Sequence, residues 1–138
     1  MRESDTEKAI STGRRILGIL SNQSPKIASG LEVDGLLFLS GQIATDKDGQ
    51  LLGPDNCMDQ AEQCFKNIAD LMRSSGMLMS DVVKLTCYLT RAEDYQSYAS
   101  VKQRWFPDMS PPGTCVVVSA LLVPNAVIEI DAIAIRSN

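Results

Sequence analysis

The 138-residue sequence contains no histidine. This absence excludes a Ser-His-Asp triad and a Cys-His dyad, because both use an imidazole as general base. Any acid–base chemistry must therefore come from carboxylates, lysine, tyrosine, cysteine or bound water. No two cysteines form a CxxC pair, so we expect no metal site and interpret three of the four as structural: Cys57, Cys64 and Cys87.

The sequence also lacks an apolar run long enough to cross a bilayer and the hydrophobic centre of a signal peptide. We therefore expect a cytoplasmic protein with no membrane contact and with reduced cysteines. An excess of basic residues is missing as well, since the net charge is −4. Nucleic-acid binders usually present a basic face, so no nucleic-acid partner is expected.

The length and composition fit one domain. The chain is 44% hydrophobic and 22% charged, which is enough apolar material to build a core. We divide it into an N-terminal segment, residues 1–26, and an α/β domain, residues 27–138. The N-terminal segment is predicted to be either a short helix from Thr6 to Leu20, interrupted by Gly13 and Gly18, or a loose arm.

Residues 27–138 alternate between strand and helix patterns. The predicted strands are Ile27–Val33, Leu36–Ile43, a short return strand Gln50–Leu52, Asp81–Leu89, Thr114–Leu121 and Ala126–Ile135. One amphipathic helix is predicted over Cys57–Ser75, and a second begins at a capping box, Thr90 to Glu93, and ends at Phe106. This order predicts an α+β fold, a mixed β-sheet with two helices packed on one face.

The last predicted strand has two different faces. One face is purely apolar and should lie under the helices: Ile128, Ile130, Ala132 and Ala134. The other mixes two carboxylates with large apolar side chains: Val127, Glu129, Asp131, Ile133 and Ile135. The mixed face is typical of a subunit interface. The alternative is an exposed edge on which acidic residues deter aggregation.

Four segments in this order resemble the Rid family, also called the YjgF family and formerly the L-PSP endoribonuclease family. They are Leu36–Ile43, Asp81–Leu89, Pro112–Val118 and Val127–Ala134, within a match from about Ile27 to Ile135. The resemblance implies a chorismate-mutase-like fold and a homotrimer with a small-molecule ligand in each intersubunit cleft. It also implies a deaminase that hydrolyses reactive imines or enamines.

The chain departs from the deaminating members of that family at three positions. Those members have a carboxylate-binding arginine, a tyrosine and an asparagine where this sequence has Gly113, Ile27 and Ala99. The arginine matters most because its fork binds a carboxylate through two hydrogen bonds. A lysine or a neighbouring subunit, for example through Arg104, is the candidate replacement. The resemblance implies the following site: Glu129 for catalysis, and Gly41, Gly113, Thr114 and Cys115 for substrate binding.

Each of these five residues also has an ordinary structural interpretation. Glu129 would activate water, with a pKa raised by partial burial, or would accept a hydrogen bond at an interface. Gly41 would let a ligand approach the backbone or form a bulge, and Thr114 would offer its hydroxyl or merely favour a strand. Cys115 would line the cleft or pack as a small apolar residue. Gly113 would widen the cleft or form a turn after two prolines.

Three functions are compatible with the sequence. The first is hydrolysis of an imine, an enamine or a related small metabolite in an intersubunit cleft, with no metal or organic cofactor required. The second is a non-catalytic binding module for a small metabolite or a protein. The third, an endoribonuclease or translation inhibitor, follows the older family name. The acidic charge and the absence of histidine disfavour it.

Overall fold

The fold is a mixed β-sheet with helices on one side. The computed structural model describes residues 13–21 and 26–137. Its strands are β1 (Arg14–Ser21), β2 (Ile27–Val33), β3 (Leu36–Leu39), β4 (Val82–Leu89), β5 (Gly113–Val117) and β6 (Ile128–Ile135), and its α-helices are α1 (Cys57–Ser74) and α2 (Tyr95–Trp105). The strand order is β1-β2-β3-β6-β4-β5, and only β4 and β5 run parallel. The predicted α+β fold is therefore confirmed.

The core lies between the central strands and the helices. The four apolar β6 residues, from Ile128 to Ala134, are at most 2% exposed, as the alternation predicts. Fully buried Phe65 on α1 stacks on Tyr98 and Trp105 of α2, with ring centroids 6.2 and 6.1 Å apart. Such aromatic contacts add to the free energy gained by burial and join the two helices into one layer. No helix in the described ranges is long and apolar enough to span a membrane.

Gln60 is a buried polar anchor on the otherwise apolar face of α1. Its side-chain NH2 donates to the carbonyl oxygens of Gly53 and Asn125, at 3.0 and 2.9 Å. Its side-chain oxygen accepts from the backbone N–H of Val127, at 2.9 Å. All three partners lie in segments just before α1 or β6, so one side chain satisfies the backbone groups of two loops. These contacts fix the position at which β6 begins.

The prediction for the N-terminal segment is wrong over residues 14–21. These residues are neither helix nor loose arm, because β1 pairs antiparallel with β2 along Arg14–Leu17. Gly18 has a φ of +66°, which a glycine adopts at an irregularity in a strand as readily as at a helix break. Arg15 also forms an ion pair with Glu32 of β2, at 3.0 Å. Residues 1–12 and 22–25 of that prediction lie outside the described residues.

Several predicted boundaries also need correction. The strand predicted to run to Ile43 ends at Leu39, after which Gln42 makes a single bridge to Ile130. The return strand Gln50–Leu52 is reduced to one bridge between Thr45 and Leu51. The fifth strand stops at Val117 instead of Leu121, and β6 begins at Ile128 instead of Ala126. In each case β-forming residues continue past the end of the regular ladder, where only isolated backbone hydrogen bonds remain, such as that from the Val118 N–H to the Leu89 carbonyl at 2.7 Å.

The predicted capping box at Thr90 does not form. A 3₁₀ turn, Ala92–Asp94, precedes α2, and its N-cap residue Arg91 makes no side-chain cap. Instead, the Arg91 Nε–H donates to the Asp94 carboxylate at 2.9 Å. The ion pair lies within the 3₁₀ turn, and the α-helix begins only after this turn, at Tyr95.

Candidate functional site

The face of the sheet opposite the helices has an apolar part and a polar part. In the apolar part, strand register aligns Leu31, Phe38 and Ile133 in one row and Val33, Leu36 and Ile135 in the next. Phe38 and Ile135 are 44% and 48% exposed. The polar part lies further along β6 and β4, where register pairs Asp131 with Thr86 and Glu129 with Tyr88. We call this surface the open face.

Glu129 lies directly against Gly41 in the polar part. A Cβ atom built on Gly41 would be 2.9 Å from the Glu129 carboxyl carbon, 3.1 Å from its Cγ, and closer still to one carboxyl oxygen. Only glycine leaves room for the carboxyl group in this position. Burial and the nearby negative charge of Asp131 raise the pKa of Glu129 above its ordinary value. The arrangement holds a half-buried carboxyl group over a bare stretch of backbone.

Tyr88 is a site neighbour that the sequence did not single out. It lies opposite Glu129 on β4, and its hydroxyl donates to the Asp131 carboxylate at 3.3 Å. The negative charge of Asp131 raises the pKa of Tyr88, with smaller contributions from burial, the hydrogen bond and Glu129. Tyr88 therefore stays protonated and orients Asp131. Its place beside Glu129 follows from the β4–β6 register, which the sequence alone does not give.

The other three predicted residues form a separate group at the β5 edge of the sheet. Gly113, Thr114 and Cys115 line a pocket of about 110 Å³ together with Leu85, Tyr95, Tyr98, Lys102 and Pro111. We call it the α2–β5 pocket, after the elements that supply most of its wall. The structure thus brings Gly41 to Glu129, and Gly113 to Thr114 and Cys115. Lys102 and the two tyrosines were missed by sequence reasoning.

Gly113 is packed too tightly against β4 to carry a side chain. A Cβ atom there would lie 3.0 Å from the carbonyl carbon of Leu85, its register partner, and closer still to the carbonyl oxygen. A contact of this kind with backbone cannot be relieved by rotating a side chain. The first residue of β5 must therefore be glycine while the two strands keep this separation.

Of the groups suggested as replacements for an arginine, a lysine lies near three of the five candidates and Arg104 of the same chain does not. Arg104 lies 3.5 Å from the Glu62 carboxylate on α1 and does not line the α2–β5 pocket. Ile27 is 46% exposed at the start of β2, and Ala99 is half-buried on α2. The charged side chain that does line this pocket is Lys102.

The cysteines are free thiols in different environments. Cys57, Cys64 and Cys87 are buried, whereas Cys115 is partly exposed. Burial, assisted by the charge of Asp94, raises the pKa of Cys57 to about 12, and burial raises the pKa values of Cys64 and Cys87 as well. Thiols with raised pKa values are poor nucleophiles. Across the described ranges, no three Cys, Asp or Glu side chains cluster as metal ligands would.

The chain is similar to known proteins over most of its length. The model of the family described as Endoribonuclease L-PSP matches residues 24–136. A RutC family protein of Aquifex aeolicus is 30% identical over 111 residues, which cover 79% of this chain and 87% of that protein. The 2-iminobutanoate/2-iminopropanoate deaminase of Mus musculus is 28% identical, over 79% of this chain and 80% of its own. Among solved structures, the Rid-family protein YyfA of Yersinia pestis has a TM-score of 0.81 and 26% identity, covering 89% of this chain and 99% of that one.

Proposed function

Because the chain belongs to the Endoribonuclease L-PSP family, which includes the Rid proteins, we propose that it is a Rid-type hydrolase of small imines or enamines. The observation that carries the proposal is the half-buried Glu129 carboxyl group held over Gly41. The name of the mouse relative, an iminobutanoate and iminopropanoate deaminase, supplies the substrate class. We place the protein in the cytoplasm, where its four free cysteines would stay reduced.

The open face supports assembly as a homotrimer. Its apolar rows expose Leu36, Phe38 and Ile135 to solvent in the single chain, and Leu122, in the loop before β6, is fully exposed. Apolar patches of this kind mark protein–protein interfaces when they are contiguous. In a ring with closed cyclic symmetry, each subunit would bury this apolar patch against its neighbour, and no patch would stay exposed. Glu129 lies in the polar part of the same face, so its ligand would lie at the boundary between subunits.

The chemistry requires one water and one group that transfers protons. Water adds to the carbon of the C=N bond, the C–N bond breaks, and the products are a 2-oxo acid and ammonia. As a carboxylate, Glu129 takes a proton from the attacking water, and as a carboxylic acid it returns the proton to the leaving nitrogen. A raised pKa suits both roles because it brings the two protonation states closer together near neutral pH.

The test is hydrolysis of 2-iminopropanoate generated in place by an amino-acid oxidase. Glu129→Gln keeps the size of the side chain and removes its basic oxygen, so we expect turnover to fall by roughly 10²- to 10⁴-fold. Glu93→Gln, the same change at an exposed glutamate in the 3₁₀ turn before α2, is the matched control and should leave turnover unchanged. Full activity of Glu129→Gln would contradict the assigned role.

The pH profile gives an independent check on the same residue. The carboxylate form of Glu129 is needed to activate water, so activity is lost as the pH falls through its pKa. The charge of Asp131 helps to hold that pKa above the ordinary value. Asp131→Asn should therefore move the acidic limb of the kcat/KM profile to lower pH. An unchanged acidic limb would mean that another group titrates.

A non-catalytic binding module is the second candidate, and one observation favours it. The close approach of Gly113 to Leu85 leaves no room for the arginine that deaminating relatives are expected to carry at this position. Loss of that side chain would weaken carboxylate binding. Binding of a small metabolite without Glu129-dependent turnover would support this candidate. We do not propose RNA cleavage, because the chain carries a net charge of −4 and contains no histidine.

A further inference from the structure

We propose that Cys87 and Cys115 form a redox pair, which hydrogen peroxide converts from two thiols into a reversible disulfide. Such a pair lies outside the proposed hydrolase chemistry and does not depend on it. No CxxC motif marks the two residues in the sequence, because they meet only where β5 pairs with β4.

The strand register places the two cysteines side by side. β4 and β5 run parallel, and Cys87 lies directly opposite Cys115. Neighbouring strands are about 4.7–4.9 Å apart, and residues in register point to the same side of the sheet. This spacing lies inside the range of about 4.4–6.8 Å that disulfides span between Cα atoms. After burial, the charge of Cys115 is the largest cause of the raised pKa of Cys87, which agrees with their proximity.

The two thiols differ in their access to solvent. Cys115 is partly exposed and lines the α2–β5 pocket, whereas Cys87 is fully buried and does not line it. The pocket volume of about 110 Å³ corresponds to roughly three to four water molecules at liquid density. Hydrogen peroxide, which is little larger than water, fits this space, whereas a bulky oxidant such as glutathione disulfide does not. Cys115 is therefore the thiol that the peroxide reaches first.

The oxidation consumes one hydrogen peroxide and releases two water molecules. The Cys115 sulfur attacks a peroxide oxygen, the O–O bond breaks, and the leaving hydroxide takes the thiol proton as water. The product is a sulfenic acid on Cys115. The Cys87 sulfur then attacks the Cys115 sulfur, the S–O bond breaks, and the second hydroxide leaves with the Cys87 proton as water. Two thiols are oxidised to one disulfide while the peroxide is reduced.

The proximity of the two sulfurs compensates for the low reactivity of Cys87. Its raised pKa keeps it in the thiol form, which protects it from direct oxidation. Its attack on Cys115 takes place within one chain, and reacting groups held side by side behave as if they were highly concentrated. Cys87 is therefore suited to the second step and not to the first.

Strain makes the disulfide reversible. The Cβ atoms of a disulfide are on average about 3.8 Å apart, which is less than the spacing of two paired strands. β5 must therefore move towards β4, and Gly113, two residues before Cys115, already makes a close contact with Leu85 that resists this movement. Strained disulfides are the ones that cellular thiols reduce readily. The pair would thus act as a transient redox sensor in a reducing compartment and not as a permanent cross-link.

Peptide mass spectrometry of the full chain after treatment with hydrogen peroxide tests the pair. Trypsin cuts after lysine and arginine, so Cys87 and Cys115 fall in different peptides, whereas Cys57 and Cys64 share one. We expect the free thiols to fall from four to two, a cross-linked peptide that contains Cys87 and Cys115, and recovery of all four thiols after reduction with dithiothreitol. A disulfide between Cys57 and Cys64, or one between two chains, in place of this cross-link would overturn the proposal.

Three variants assign the roles of the two thiols, with circular dichroism before treatment to check that each is folded. Cys115→Ser should keep its remaining thiols in peroxide, because the accessible sulfur is gone. Cys87→Ala should stop at the sulfenic acid on Cys115, which dimedone traps as a covalent adduct. Cys64→Ala, the control at a buried cysteine outside the pair, should form the disulfide as wild type does. Wild-type protein that keeps all four thiols while folded, or that forms the disulfide only after unfolding in urea, would overturn the proposal.

Discussion

Replacement of Gly113 by alanine should destabilise the protein, against the usual effect of such a change. Where the backbone permits it, Gly→Ala stabilises a protein by about 0.4–1 kcal/mol because it restricts the unfolded chain. Gly113 does not have a positive φ, so backbone conformation gives no reason for a penalty. The penalty arises because the new Cβ would lie 3.0 Å from the Leu85 carbonyl carbon and closer to its oxygen.

The magnitude follows from what must move. Neither Leu85 nor residue 113 can relieve the contact by changing a rotamer, so β5 must shift away from β4. The shift stretches the hydrogen bond from the Leu85 N–H to the Pro112 carbonyl, now 3.1 Å long. Overpacking of this kind costs about 1–3 kcal/mol. For a chain of this length the melting temperature should fall by roughly 3–10 °C.

Urea denaturation followed by tryptophan fluorescence measures this effect, since Trp105 is the only tryptophan and stacks on core residue Phe65. Protein concentrations must be equal, because assembly would make stability concentration-dependent. Ser110→Ala, in the exposed loop before β5, is the control and should stay within about 0.5 kcal/mol of wild type. A Gly113→Ala variant as stable as wild type, or more stable, would refute the argument that β5 is closely packed against β4.

Two further changes test the contacts that fix the sheet. Burial acts to raise the pKa of Glu32, but hydrogen bonds from Ser75 and Arg136 and the charges of Arg136 and Arg15 outweigh it and lower the pKa. A lowered carboxyl pKa stabilises the fold above the unfolded value of about 4.3, and this contribution is lost as the pH falls through the folded pKa. Urea denaturation across pH should therefore show that wild type has a higher free energy of unfolding than Glu32→Gln near neutrality and that this difference shrinks in acid. A difference that stays constant with pH would contradict this expectation. Gln60→Ala leaves three backbone groups unsatisfied and should lower the free energy of unfolding by about 2–4 kcal/mol, as measured in thermal melts. The control Gln63→Ala, at a half-buried position, should lower it by about 1 kcal/mol or less. Equal losses in the two variants would contradict the role of Gln60 as an anchor.

The elements that pack on the core could be predicted because burial of one face places apolar residues at a regular spacing along the sequence. The alternation in β6 identifies its buried face, and the apolar spacing of α1 follows the face that contacts β6. The segment around Gly18 carried no such information. Its two glycines, Gly13 and Gly18, disfavour a helix and a strand to a similar degree, so local sequence does not choose between them. The strand forms because it pairs with β2, which lies further along the chain.

Individual site residues could be predicted from their residue type, but the contacts between them could not. Glu129 is one of two carboxylates in β6, and the resemblance to the Rid family distinguishes it from Asp131. The contact between Glu129 and Gly41 depends on the irregular segment after β3, where only Gln42 pairs with β6. Lys102 and Gly113 line the same pocket because β5 pairs parallel with β4 beside α2. A parallel pair needs a long crossover, so its register cannot be obtained from a local turn.

The two groups of site residues have different relations to the proposed interface. Glu129 lies on the open face, and burial already raises its pKa in the single chain. Association through that face would remove more water and raise the pKa further, because a charged carboxylate loses more by desolvation than a neutral one. The α2–β5 pocket is built entirely within one chain, and the cation of Lys102 is already in place there. The acid–base property of Glu129 should therefore depend strongly on assembly, whereas the shape of the α2–β5 pocket should not.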